Sequence, residues 1–207
     1  AGAALWRGAR LSGATEPAPG ARADIVFVID ATGSMSAEIE DVKQNVVGIG
    51  NSLVHRKPVP DVRFGAVFYR DVVDSELVLS VPLSRDLPSV RDAIMDVRAD
   101  GGGDTPEHVG IGLHRALEMD WSHSGAGGVR LVYLVGDAPP QEYGDGYDVP
   151  SAAALARAMG VKVHTICVGD DCGAGGRTER EFRQIAEATG GNHSRLERPS
   201  GGQAPRF

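Results

Sequence analysis

Three polar side chains that could bind a metal ion alternate directly after the first apolar segment of the sequence. Asp30, Thr32 and Ser34 lie in the segment DATGSMS, which follows the apolar run at 25–29. Their carboxylate and hydroxyl oxygens are the hard donors that Mg²⁺, Ca²⁺ and Mn²⁺ prefer. The same residue types also cap helix N-termini. This segment alone therefore leaves a metal site and an ordinary helix cap equally open.

Two further segments carry oxygen-bearing side chains of the same kind. The segment GGGDTPE places Asp104 and Thr105 in a loop before a predicted helix, and Asp137 follows an apolar run in the segment LVGDAPP. In open α/β sheets, ligands bind outside the carboxyl ends of the strands. Three polar segments at one rim of a sheet favour a divalent-cation site over three independent caps.

The elements that would position these groups alternate between strand-like and helix-like patterns. The sequence predicts strands at Ile25–Ile29, Val62–Tyr69, Glu76–Val81, Val129–Val135, Val161–Val168 and His193–Leu196. It predicts helices at Ile39–Leu53, Leu87–Val97, Pro106–Met119, Val149–Met159 and Arg180–Thr189. This alternation predicts an α/β, Rossmann-like three-layer sandwich, with a mostly parallel central sheet and helices on both faces.

Two details of this fold are also predicted. The short link between the second and third strands requires an antiparallel pair, because a parallel pair needs a crossover of a dozen or more residues. The third strand is therefore an antiparallel edge strand. We expect Asp104 or Thr105 to cap the third helix, with Pro106 in its first turn.

The three segments, in this order and spacing, resemble the metal-ion-dependent adhesion site of von Willebrand factor type A domains, in a bacterial-type member of that family. The resemblance covers residues 24–196, and leaves an N-terminal extension at 1–23 and a C-terminal tail at 197–207. It implies a bound Mg²⁺, with Ca²⁺ or Mn²⁺ as alternatives. The metal-binding residues that it implies are Asp30, Thr32, Ser34, Thr105 and Asp137.

The resemblance also implies a function, which is metal-dependent binding of a protein partner whose Glu or Asp completes the metal's shell. An alternative is a scaffold module of a larger complex, in which the metal is a structural clip. A metal-dependent hydrolase is a third alternative, but a phosphatase of the aspartate type needs a second acidic residue where Thr32 stands. We therefore expect a protein that is not an enzyme.

Composition limits the remaining classes of function. The net charge is -7, with 28 acidic and 21 basic residues, which disfavours nucleic-acid binding. No apolar run reaches the roughly 20 residues needed to span a bilayer, so we expect no direct membrane insertion. The sequence begins without a Met or a leader pattern, which predicts a mature or trimmed chain.

Two cysteines, Cys167 and Cys172, bear on the compartment. Their spacing allows either a short-loop disulfide or two free thiols. A disulfide would imply an oxidising compartment. Together with the habits of the resembled family, this predicts an extracytoplasmic or secreted location, while a cytoplasmic one stays open.

Overall fold

The computed structural model describes residues 22–54, 61–72, 74, 77–102, 106–122 and 128–196. Its centre is a six-stranded sheet in the order β3-β2-β1-β4-β5-β6. The strands are β1 (Arg22–Asp30), β2 (Asp61–Tyr69), β3 (Val78–Ser84), β4 (Val129–Gly136), β5 (Lys162–Val168) and β6 (His193–Leu196). All neighbouring strands pair in parallel except β3, which pairs antiparallel with β2 at one edge. The predicted fold class is confirmed.

Helices cover both faces of this sheet because its central strands are apolar on both sides. The helices are α1 (Ile39–Val54), α2 (Leu87–Asp96), α3 (Val109–Leu117), α4 (Val149–Met159) and α5 (Arg177–Thr189). Phe27 and Ile29 of β1 pack with α1 and α2, whereas Val26 and Val28 pack with α3, α4 and α5. The continuous burial of β1 is what a strand between two helical layers requires. Among the described residues, no helix is long and apolar enough to cross a membrane.

The start of α3 differs from the prediction. The helix begins at Val109, and its cap is His108, whose ring nitrogen accepts a hydrogen bond from the Ile111 N–H. The preceding residue, Glu107, is extended and forms a parallel bridge with Pro140. Its backbone groups bond to that neighbouring loop and cannot begin a helix. The expectation that Asp104 or Thr105 caps the helix with Pro106 in its first turn was therefore wrong.

The remaining element predictions hold to within a few residues. β3 begins at Val78, two residues later than predicted, and α5 begins at Arg177, three residues earlier. Cys167, in β5, is joined to Cys172 by a disulfide, which decides between the two alternatives for this pair. The proposed N-terminal extension lies outside the described residues up to residue 21, and the tail at 197–207 lies outside them entirely. These domain boundaries stay predictions.

Candidate metal centre

The order of the strands places two of the predicted metal-binding loops side by side. β1 lies between β2 and β4, and all three are parallel. Asp30 ends β1, and Asp137 follows directly after Gly136, the last residue of β4. The chain leaves β1 toward one helical layer and β4 toward the other, which is the crevice where open α/β sheets bind ligands.

Four of the five predicted residues form one continuous series of polar contacts. Asp30 Oδ1 accepts from the Thr32 N–H at 2.9 Å and from the Thr32 hydroxyl at 2.6 Å. The Ser34 hydroxyl donates to Asp137 Oδ1 at 3.0 Å. The structure thus brings together Asp30, Thr32, Ser34 and Asp137.

The contact between the hydroxyl groups of Thr32 and Ser34 bears on whether this site binds a cation. Thr32 Oγ1 lies 3.1 Å from Ser34 Oγ. A hydroxyl carries a single hydrogen, and the acceptors nearest to each are the carboxylates of Asp30 and Asp137. When both carboxylates are ionised, the two hydroxyl oxygens face each other with lone pairs and no proton between them. A small cation beside them would convert this contact into a favourable one.

The site has a buried side and an open side. Asp30 and Thr32 are completely buried, Asp137 is partly buried and Ser34 is exposed. Burial raises the pKa of Asp30 to about 7; the hydrogen bonds from Thr32 oppose this rise, and the negative charge of Asp137 adds to it. A buried carboxyl in this setting either takes up a proton or stays ionised beside a compensating positive charge. The open side leaves access from solvent.

The chemistry of these donors fits a small, hard divalent cation, since all of them are oxygens. Among the described residues, no group of three His, Cys, Asp or Glu side chains is placed to hold a metal ion. Binding here would therefore depend on the hydroxyl groups of Thr32 and Ser34 as well as on carboxylates. Thr105 lies outside the described residues, and its contribution stays a prediction.

The glycine-rich segment approaches the same point at Gly101 and Gly102. The Gly33 N–H donates to the Gly101 carbonyl at 3.0 Å, which joins this segment to the loop after β1. Gly102 has φ +72°, and a Cβ there would lie 2.8 Å from Thr32 Cβ. Only glycine fits this position, because a side chain would be strained and would collide with Thr32. Gly101 and Gly102 thus lie against the loop that carries Thr32.

Tyr69, the last residue of β2, is a site residue that the sequence did not identify. Its hydroxyl donates to Asp30 Oδ2 at 3.5 Å and is completely buried. Burial and the charge of Asp30 raise the pKa of Tyr69 well above its ordinary value, so this hydroxyl stays protonated and a donor. A Cβ on Gly136 would lie 2.7 Å from the Tyr69 hydroxyl oxygen, which explains the glycine at the end of β4.

A second pair of buried acids lies beside these residues and was also missed. Asp71 and Glu107 are each 1% exposed, and the Tyr143 hydroxyl donates to Asp71 Oδ1. Burial raises the pKa of Glu107 to about 8, and the charges of Asp30 and Asp71 add to this. In the sequence, the only signal for Glu107 was that an acidic residue stands just before an apolar helix.

Comparisons with known proteins agree with the predicted family. Residues 24–206 match the family model of the von Willebrand factor A domain. An alpha-protein kinase, vwkA, from Dictyostelium discoideum is 32% identical over 117 residues, which are 56% of this chain and 18% of that protein. A putative ariadne-like RING finger protein, R811, from Acanthamoeba polyphaga mimivirus is 26% identical over 125 residues, which are 60% of this chain and 12% of that protein. The chain thus spans less than a fifth of either relative.

Solved structures share the fold. The pilus adhesin SpaC from Lactobacillus rhamnosus GG has a TM-score of 0.60 and 18% identity, over 84% of this chain and 28% of that one. Proximal thread matrix protein 1 from the mussel byssus, with a zinc-occupied MIDAS motif, has a TM-score of 0.62 and 24% identity, over 87% of this chain and 43% of that one. A von Willebrand factor type A protein from Catenulispora acidiphila has a TM-score of 0.56 and 17% identity, over 86% of this chain and 39% of that one.

Proposed function

Since this chain belongs to the von Willebrand factor A domain family, we propose that it is a protein-binding module whose contact with its partner depends on a divalent cation. The observation that carries the proposal is the pair of hydroxyl oxygens, Thr32 Oγ1 and Ser34 Oγ, at 3.1 Å from each other. They lie between two carboxylates at a rim of the sheet that is open to solvent on one side.

We propose that Asp30, Thr32, Ser34 and Asp137 hold the cation together with Thr105. Mg²⁺ is the expected ion, with Ca²⁺ or Mn²⁺ as alternatives, because all donors are hard oxygens. When bound, the cation supplies a positive site for an anionic oxygen of another molecule. The zinc of the mussel protein supports metal binding by a motif of this kind, but not the identity of the ion here.

The expected partner is a protein that offers a Glu or Asp side chain. This chain has a net charge of -7 and concentrates carboxylates around the site. Without a cation, an acidic group would be repelled from such a surface. Binding of an acidic group would therefore depend on the metal, and this dependence is the signature by which the function can be tested.

We propose no catalytic role for the site. The Ser34 hydroxyl donates to Asp137. The histidines within the described ranges are engaged elsewhere: His108 with Asp145, His114 with Ser151, His164 with the Asn192 N–H and His193 with Thr165. A nucleophilic serine is commonly activated by an adjacent histidine, and none of these histidines contacts Ser34. A phosphatase assay with Mg²⁺ tests this part of the proposal, and turnover that is lost on the substitution Ser34→Ala would contradict it.

Peptide selection can test the binding function without knowledge of the natural partner. Peptides selected on the folded chain in Mg²⁺ should contain an essential Glu or Asp, and should be released by EDTA and by Ser34→Ala. The matched control is Ser80→Ala, which removes an exposed hydroxyl on the edge strand β3 and should leave binding unchanged. Selected peptides that stay bound in EDTA and tolerate amidation of their acidic residues would contradict the proposal.

A second candidate function, a scaffold module with the metal as a structural clip, is favoured by the burial of Asp30. A cation there would offset buried negative charge and stabilise the fold. The relatives, of which this chain spans 18% and 12%, are also much longer proteins. In this case EDTA should lower the melting temperature, while the affinity for selected peptides, measured well below that temperature, should not change.

We also propose that the chain acts outside the cytoplasm. The disulfide between Cys167 and Cys172 supports this, because disulfides persist in oxidising compartments. A pilus adhesin and a byssus protein among its structural neighbours agree with it. Labelling of free thiols in protein extracted under alkylating conditions should detect none at these two cysteines, and full labelling of both would contradict the proposal.

A further inference from the structure

Glu107 is fixed by its backbone to the loop that carries Asp137. The Glu107 N–H donates to the Pro139 carbonyl at 3.0 Å, and the Glu107 carbonyl accepts from the Gln141 N–H at 2.9 Å. Two backbone hydrogen bonds on successive positions of this loop leave little freedom to Glu107. Its side chain is consequently held in one direction relative to the metal-binding loops.

That direction is toward Thr32. The position that a Cβ would take on Gly102 lies 2.8 Å from Thr32 Cβ and 3.3 Å from Glu107 Oε1, so these two side chains meet beside the same glycine. A side-chain hydrogen bond with Thr32 also acts to lower the pKa of Glu107. Glu107 thus connects the loop after β4 with the loop after β1.

The other oxygen of the same carboxylate is left without a partner. Glu107 is 1% exposed, and its Oε2 has no hydrogen-bond partner among the described residues. Buried polar atoms are nearly always hydrogen-bonded, and each exception requires an explanation. This exception also lies close to other carboxylates, since Asp30, Asp71 and Asp137 all affect Glu107 by their charges.

A purely structural role does not account for this unpartnered oxygen. A side chain kept only for packing would leave no buried polar atom without a hydrogen-bond partner. A cation at the neighbouring site would give Oε2 of Glu107 such a partner, because hard cations and the waters that they bind interact with carboxyl oxygens.

We propose that Glu107 is a further residue of the cation site, which holds the Thr32 side chain in place by contact and would offer its unpartnered Oε2 to the bound ion. This inference rests on the proposed function, because it assumes that the site binds a cation. It makes Glu107 a positioning residue that tunes the affinity for the ion.

The substitution Glu107→Gln tests this role because it keeps the shape and removes the charge. The matched control is Glu179→Gln on α5, whose carboxylate is also largely buried but is bound by Arg183 and the Gly175 N–H. The dissociation constant for Mn²⁺ and for Mg²⁺ is measured by isothermal titration calorimetry. The melting temperature is measured separately in EDTA.

We expect Glu107→Gln to weaken Mn²⁺ and Mg²⁺ binding at least about tenfold, as loss of a residue that orients metal ligands does elsewhere. Its melting temperature in EDTA should be equal to or higher than that of the wild type, since the substitution removes a buried carboxyl oxygen that has no hydrogen-bond partner among the described residues. Glu179→Gln should leave the affinity unchanged. Wild-type affinity for Glu107→Gln with a lower melting temperature in EDTA would overturn the proposal, because it would assign Glu107 to the fold alone.

Two further variants keep the test decisive. If Glu107→Gln does not fold, Glu107→Asp withdraws the carboxylate by one methylene; weaker Mn²⁺ binding is expected, and unchanged binding would overturn the proposal. Ser34→Ala separates this proposal from the previous one. If Ser34→Ala binds Mn²⁺ as the wild type does, the cation site itself is wrong; if it loses binding while Glu107→Gln retains it, only the role of Glu107 is wrong.

Discussion

Replacement of Asp24 by Ala should destabilise the fold strongly, although this residue lies near the start of β1, far from the metal site. Its carboxylate is 1% exposed and accepts four hydrogen bonds. Arg63 donates two, at 2.9 and 2.8 Å, and Ser122 donates its N–H at 2.7 Å and its hydroxyl at 2.6 Å. The network joins β1, β2 and the segment after α3, so its loss affects three parts of the chain.

The size of the loss in stability follows from the Arg63 charge, which the substitution leaves without its partner. Breaking a buried ion pair costs about 3–5 kcal/mol, because the remaining charge is buried without its partner. The Arg63 side chain is 14% exposed and also donates to the Asp120 carbonyl at 2.7 Å, so it keeps part of its solvation. We therefore expect Asp24→Ala to lower the free energy of unfolding by about 3 kcal/mol, at the lower end of that range. For a domain of this size, this corresponds to a decrease of roughly 6–12 °C in the melting temperature.

Urea denaturation followed by circular dichroism measures this effect, with Asp92→Ala as the control. Asp92 is exposed on α2 and pairs with its neighbour Arg91, so its loss should change stability by less than about 1 kcal/mol. A loss below about 1 kcal/mol for Asp24→Ala would refute the reasoning, because it would mean that Arg63 finds equivalent partners or solvent.

The dependence on pH gives an independent check of the same network. Burial acts to raise the pKa of Asp24, but the hydrogen bonds from Arg63 and Ser122 prevail and lower it below its usual 3.8. A lowered pKa in the folded state means that the contribution is fully present above pH 3.8 and is lost as the pH falls through the folded value. The stability difference between wild type and Asp24→Ala should therefore shrink below about pH 4, and a constant difference down to pH 2 would contradict this account.

Four further variants test other parts of the fold by urea denaturation. Lys43→Ala should cost about 2–3 kcal/mol, because the ammonium of this lysine, which is 1% exposed, donates to two carbonyls at the end of α2; a cost under about 0.5 kcal/mol would show that water replaces it. Gly112→Ala should destabilise the fold by about 1–3 kcal/mol through overpacking, since its Cβ would lie 2.7 Å from a ring carbon of Tyr69 in β2. In contrast, Gly48→Ala on α1 meets nothing within 4 Å and should stabilise by up to about 1 kcal/mol; equal effects at the two glycines would contradict the packing argument. Replacing Cys167 and Cys172 together by Ser should cost about 2 kcal/mol for so short a loop, and reduction of the wild type should give a similar loss.

The sequence predicted the elements well where a periodic apolar pattern was long. β1 and β4 are buried on both faces and are continuous apolar runs in the sequence, so their existence could be predicted. The start of α3 did not follow, because it depends on the bridge between Glu107 and Pro140, which are far apart in the chain. A local pattern contains no information about such a pairing.

The same limit applies to the site. Asp30, Thr32, Ser34 and Asp137 follow strand ends, and the carboxyl ends of parallel strands meet at one edge, so their proximity could be predicted. Tyr69, Asp71 and Glu107 could not be identified, since their roles depend on burial and on which loops approach one another. Thr105 lies outside the described residues and stays a prediction.

The central position of β1 determines which part of the sheet unfolds last and where the chain should tolerate insertions. β1 pairs with β2 over nine residues and with β4 over seven, whereas the edge strand β6 has only four. Local opening of a protein begins where backbone bonds are fewest and spares the best-paired core. Amide exchange should accordingly be slowest in the strand that leads into Asp30. Insertions and fusions at the two margins of the sheet should then be tolerated while the loop after β1 keeps its shape, so that this loop can serve unchanged in chains of very different length.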